Sequence, residues 1–318
     1  MDRSRQLEGI VVQILAGVFG AAGGGVAGYF GGGVTTVNIS GIDKITFPGD
    51  SRSTLSETLT TARQNPTGMA NSGVAGYFGG GYDTAYRNDI DKIAFPADTK
   101  TSLGVFLTSG VEVLAAFANS AVAGYFGGGD TSGGMVDRID KISFPGDSKS
   151  TLVPTLSSAR RELMGMANSG VAGYFGAGVD GVGQVSGIDK ITFPGDTKST
   201  LAATLASGQQ GAGMANSGVA GYFGGGYDAV DIVDTIFKIS FPSDTKTTLG
   251  DVLTSARRLL AAMANSGTAG YFGGGLTAGG RTNGIDKITF PGDTKSTLSE
   301  TLSSTRRSMA GMADSGIL

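Results

Sequence analysis

The sequence predicts an all-β fold, a closed propeller of six four-stranded antiparallel blades. Three observations carry that expectation. Tyr-Phe-Gly recurs with its tyrosine at Tyr29, Tyr77, Tyr125, Tyr174, Tyr222 and Tyr271, at spacings of 48 or 49 residues, inside the range of roughly 40 to 50 that one blade occupies. Turn-forming residues fall at the same places in every copy, and the 56 glycines suit a chain of short strands and many reversals. A surplus copy of the first segment follows the sixth repeat.

Each repeat reads as segments A to D, which in the sixth copy span 260–265, 268–273, 285–290 and 297–303. Asn-Ser-Gly separates A from B, a glycine-rich loop separates B from C, and Pro-Gly-Asp-Thr-Lys separates C from D. Glycine supplies positive φ, proline presets φ, and Asn or Asp bonds the nearby backbone, so each reversal has a cause. Strand B, as in Ala75, Gly76, Tyr77, Phe78 and Gly79, has small residues where a neighbouring sheet can approach, and its aromatics are expected to pack between blades. Strand C alternates, with Asp43, Ile45 and Phe47 on one face and Ile42, Lys44 and Thr46 on the other. After the sixth D segment, Met309 to Gly316 repeats segment A. That strand is expected to complete the first blade's sheet and close the ring, leaving no open edge. A solenoid would instead carry polar capping repeats, which neither end resembles.

Histidine, cysteine and tryptophan are absent, which removes imidazole and thiolate catalysis and the commonest transition-metal ligands. The expectation is a protein that is not an enzyme and holds no cofactor or metal. A formal net charge of −3 gives no footprint for a nucleic-acid backbone. Asp228, Asp231 and Asp234 share a loop, but their spacing is not that of a calcium loop, and they read as solvated or structural carboxylates.

The B strand ending in a glycine doublet (Tyr77, Phe78, Gly79, Gly80), the C strand after it and the D segment followed by Arg resemble the kelch class of β-propellers over roughly residues 17 to 318. Kelch repeats usually carry a Trp after strand C; here Phe47, Phe95, Phe144, Phe193, Phe241 and Phe290 stand in its place. The whole-repeat pattern of Tyr-Phe-Gly-Gly-Gly, Ile-Asp-Lys-Ile and Phe-Pro-x-Asp is similar to propellers of tailed-phage structural proteins. That resemblance implies a virion component, associated with capsid or tail, with other virion proteins as partners.

Within the chain, some positions are constant and others vary. Asp50, Asp98, Asp147, Asp196, Asp244 and Asp293 recur in every copy, as do Lys44, Lys92, Lys141, Lys190, Lys238 and Lys287. These read as structural, the aspartates by satisfying local turn amides and the lysines by pairing with a carboxylate or reaching water. The strand-C aspartate is replaced once, by Phe237. By contrast the B-to-C loops at 34–41, 82–89, 130–138, 179–187, 227–235 and 276–284 share almost no sequence and should emerge on one face. Tyr82, Asp83, Tyr86, Arg87, Asp130, Arg138, Asp180, Tyr227, Asp228 and Arg281 are the candidate binding residues there, suited to a host-surface glycan or a protein. Relaxed drift of unconstrained loops is the alternative. Arg160-Arg161, Arg257-Arg258 and Arg306-Arg307 recur at the D-to-A turn and read as salt-bridged to acidic loops, with an anion contact as the alternative.

Residues 1 to 22 read as an apolar arm in which Leu7, Ile10, Val11, Ile14, Leu15, Val18 and Phe19 follow helical spacing. The arm would attach the protein to other virion proteins or to itself; the alternative makes it the inner strand of blade one. Residues 23–318 form the propeller. No charge lies between Gly9 and Ile42, yet a membrane span would consume a B strand, and Asp2, Glu8 and Gln13 spoil a secretory signal. The reading is a non-catalytic structural or adhesive protein presenting one variable face. The alternatives are a lectin-like module and a glycosidase using paired Asp residues in or around the central channel, with carboxyls about 5 to 9 Å apart.

Overall fold

The computed structural model describes residues 26–205 and 210–314. Six four-stranded antiparallel sheets, each ordered A-B-C-D, are the blades of a β-propeller. Blade 2 has strands Thr67–Asn71, Ala75–Gly79, Ile90–Ala94 and Thr99–Ser102. Blade 1 takes B, C and D from Ala27–Gly31, Ile42–Thr46 and Ser51–Thr54, and its A strand is Ala310–Asp314 from the far end of the chain. That strand pairs with Ala27–Gly31 in register, Tyr29 opposite Met312, and closes the ring as expected. The arm read at residues 1 to 22 lies outside the described residues.

Strand D corrects the expectation. In blade 6 it is Thr294–Thr297 rather than 297–303. The reversal is shorter than the sequence suggests, because Pro291, Gly292 and Asp293, the last at φ 55°, complete it within a few residues. The chain after the strand runs irregularly across the blade, anchored by Leu302, which is 2% exposed.

The Gly-Tyr-Phe-Gly of strand B is a set of inter-blade fits. A Cβ on Gly28 would lie 2.1 Å from Met263 Sδ in the blade before, and one on Gly31 would lie 2.7 Å from the Phe78 ring in the blade after. Phe30 in turn fills the place left open by Gly273. Tyr29 faces forward and stacks on Phe95 of the next blade at 5.2 Å. The strand-B aromatics are 2% exposed or less, so the hydrophobic core lies in the seams between blades and each blade depends on both neighbours.

Two polar latches repeat across the same seams. Tyr29 donates to Asp98 Oδ1 at 2.7 Å, and Lys44 Nζ sits 2.6 Å from Asp98 Oδ2. The last copy, Tyr271 and Lys287 on Asp50, joins blade 6 to blade 1. The C-to-D aspartate is therefore structural, but it serves the preceding blade rather than its own turn amides. Burial, then the bond to Asp98, pushes the Tyr29 phenol far above its ordinary value, and the five equivalent tyrosines follow.

The second latch holds the first arginine of the D-to-A segment. Arg306, fully buried, donates to Asp43 Oδ2 at 2.7 Å and to Phe30 O at 3.1 Å. Arg63 with Asp91, Arg160 with Asp189 and Arg257 with Asp286 repeat it. These partners are strand-C aspartates of the following blade; the expected acidic-loop pairing also occurs, from Arg63 to Asp89 and from the second arginine Arg161 to Asp130. Where Phe237 replaces the aspartate, the repeat carries Gln209-Gln210 and no arginine pair, so both partners are lost together in the sequence. A buried charge left alone would be costly, which explains the joint loss.

Candidate functional site

The two faces of the disc are built differently. On the face of the A-to-B turns, Asn71 Oδ1 accepts from Ala121 N at 2.8 Å and Ser120 Oγ accepts from Ser72 N at 2.9 Å. The contact repeats from blade to blade, and Asp314 supplies it at the closure, to Gly73 N. This face is a stapled ring of near-identical turns.

The opposite face carries the B-to-C loops and the D-to-A segments. They interlock: Tyr82 bridges Gln64, Asp130 bridges Glu112, Val179 bridges Arg161, Leu276 bridges Arg258 and Val34 bridges Arg307. Because these are backbone pairings, the loops keep their place whatever side chains they carry, and so their sequences can differ. Toward the axis, Asn65, Val113, Glu162, Gln210, Leu259 and Ser308 occupy equivalent positions, all at positive φ between 50° and 62°. Asn65 N donates to Ser308 O at 2.7 Å, Ser308 N to Leu259 O at 2.8 Å and Leu259 N to Gln210 O at 2.6 Å. The result is a backbone ring round the mouth of the channel, in a conformation that is costly for a β-branched residue such as Val113. Sequence reasoning missed this ring, since its six side chains share nothing.

The channel is narrow. Neighbouring A strands lie so close that a Cβ on Gly311 would stand 2.2 Å from Ala262 O. Cavities of about 120 Å³ at mid-depth and about 170 Å³ at the constant face have no carboxylate lining. Glu162 is the carboxylate at the mouth cavity of about 80 Å³. None of these three linings holds two carboxylates. No group of three acidic side chains able to hold a metal ion occurs among the described residues, nor does a helix long and apolar enough to cross a membrane.

The candidate residues divide by what they touch. Asp83 accepts from Thr84 N at 2.6 Å and Ala85 N at 2.9 Å; Asp180 accepts from Val182 N and Gly183 N, and Asp228 from Val230 N and Asp231 N. The Val182 and Gly183 amides hold the Asp180 carboxyl below its ordinary value. These aspartates shape their own loops. Arg87 braces Asp89 at 2.8 Å, and Asp130 receives Arg161 at 2.9 Å. Arg138 bonds Ser109 and lies 3.8 Å from Asp140. It serves the one strand-C aspartate whose latch arginine is replaced, by Val111.

What remains for a ligand is narrower. Tyr82 and Tyr86 form an edge-on pair, rings 5.3 Å apart, at the blade 2 loop. Burial, then Asp130 and Glu112, raises the Tyr86 phenol. Across the mouth, Tyr227 lies under the Arg258 guanidinium at 5.7 Å, and Arg281 is exposed. The structure therefore draws two groups from the ten candidates and adds Arg258 and Arg307, the second members of their arginine pairs. No family model matches the chain, and no curated protein matches it significantly.

Proposed function

We propose that this propeller is a non-catalytic interaction protein whose variable face binds a partner, and that it serves as a structural or adhesive component of a phage particle. The observation that supports the binding reading is the division of labour between the faces: loops locked by backbone pairing carry unrelated side chains on one side, while the other side repeats the same turn round the ring. A rigid frame that fixes diverse side chains is the arrangement recognition requires. The particle assignment and kinship to kelch propellers rest on the resemblance of the repeat pattern alone.

The test is a search for the protein in purified particles, beside light scattering of the full chain and of a chain lacking residues 1 to 22. Presence in particles, lost with that segment, supports an attached structural component. A monomer absent from particles and indifferent to the deletion counts against it and leaves a free binding module.

A further inference from the structure

We infer that the sector of the variable face round the blade 6 loop is a binding site for an acidic polysaccharide, engaged by Arg258, Arg281 and Arg307. This deepens the reading of the variable face as a binding surface and rests on it. Every other described arginine has a carboxylate oxygen within 3.8 Å. These three have none among the described residues, and they are neighbours.

The absence of partners has a local cause. Arg161 finds Asp130 on the loop of the preceding blade. The residues at the place of Asp130 in front of Arg258 and Arg307 are Tyr227 and Leu276. Arg258 therefore covers a tyrosine ring and donates to Gln210 Oε1 at 3.0 Å, while Arg307 meets no anion.

Backbone pairing gathers the three. Arg258 and Arg281 are both cross-strand neighbours of Leu276, so their side chains leave the same face of that small ladder. Arg306 N donates to Thr282 O at 3.2 Å, which sets Arg307 on the other flank of the same loop. At about 4.8 Å per ladder step, the charges are spread over roughly 10 to 15 Å. Burial, then Arg281 and Arg258, lowers the pKa of Arg307, a sign that the cations act on one another.

The spread selects the ligand. Spaced cations without a pocket suit a linear chain of repeated anions better than one small ion. The ladder here is two residues long on each strand and its Leu276 side is already paired with Arg258, so it gives a peptide little edge to extend. Asp83, Glu112 and Asp228 on the same face, with a net charge of −3, oppose the dense charge of a nucleic acid. A stiff acidic sugar chain needs only the guanidinium groups and the flat contact that Tyr227 and Leu276 offer between them.

Calorimetric titration of the intact protein with oligogalacturonate, a sulfated oligosaccharide and an uncharged galactan of equal length tests the site. Binding of an acidic chain, weakening with salt and absent for the galactan, is expected; the tighter of the two acidic chains tells carboxylate from sulfate. R281Q/R307Q should weaken it ten-fold or more at an unchanged melting temperature, and K295Q, on the outer strand of the same blade, should not. The inference falls if neither acidic chain binds, if binding survives R258Q/R281Q/R307Q, or if polyglutamate or DNA of equal charge binds more tightly than both glycans. A protein that attaches to particles through its variable face yet ignores acidic glycans overturns this inference alone.

Discussion

At the scale of single residues, the chemistry of this chain is concentrated in pairs that meet across seams. Asp140, Asp189 and Asp286 illustrate it: burial alone would raise each carboxyl, but bonds from Thr or Ser and nearby cations hold all three below the ordinary aspartate value of 3.8. A carboxyl depressed by folding stabilises above its unfolded pKa and loses that contribution as pH falls through the folded value. Stability should therefore hold from neutrality down to about pH 4 and decline below it, which denaturant midpoints across an acid series will read. The seam tyrosines give the opposite flank. Their pKa is raised, so their contribution is intact below about 10 and is lost at higher pH as the unfolded chain gains by ionising. Phenolate absorbance from Tyr29 and its five equivalents should appear only with unfolding. Gly31 is a third case: Gly31→Ala pushes a methyl into the Phe78 ring and should cost about 1 to 3 kcal/mol, against no change for Gly49→Ala, which faces open space.

At the scale of elements, strands A, B and C could be read from the repeat, because their apolar and small positions record burial directly. Strand D could not, since Thr294 to Thr297 is mostly exposed and carries turn-like residues. The latches were half legible: repetition marked Asp98 and Lys44 as structural, but their partnership joins positions 54 residues apart, and no local pattern announces it. The burial of Arg63 was hidden for the same reason, as was the use of Arg138 to serve Asp140. Blade 5 supplies the rule for testing this latch, having lost both of its partners. Arg160→Ala should destabilise by roughly 1.5 to 3 kcal/mol by removing a charged hydrogen-bond partner from Asp189, which keeps Ser157, Thr200 and Lys198, and adding Asp189→Phe, as blade 5 does, should recover most of that loss in thermal unfolding.

At the scale of the whole molecule, ring closure turns six similar units into one frame, and the frame is what allows one face to vary. Deleting residues 309 to 318 removes the A strand of blade 1 and exposes the edge of Ala27–Gly31; a strongly lowered melting temperature or association through that edge is expected, and an unchanged, monodisperse protein would contradict the role of closure. All ten candidate binding residues lie on the face of the B-to-C loops, as the repeat predicts, but which of them are already engaged was not legible in the sequence, because whether Asp180 caps its own loop depends on backbone geometry alone. The central claim is that this face, and not the other, meets the partner. The chain has no cysteine, so single cysteines can be placed at will: Val182→Cys, at a loop tip 99% exposed, and Gly146→Cys, in a C-to-D turn on the constant face with no atom in its way. The decisive measurement is partner binding after each is coupled to a bulky polymer. Loss of binding with the label at position 182 and full binding with it at 146 is the expected result; the reverse, or equal loss from both, would contradict the account.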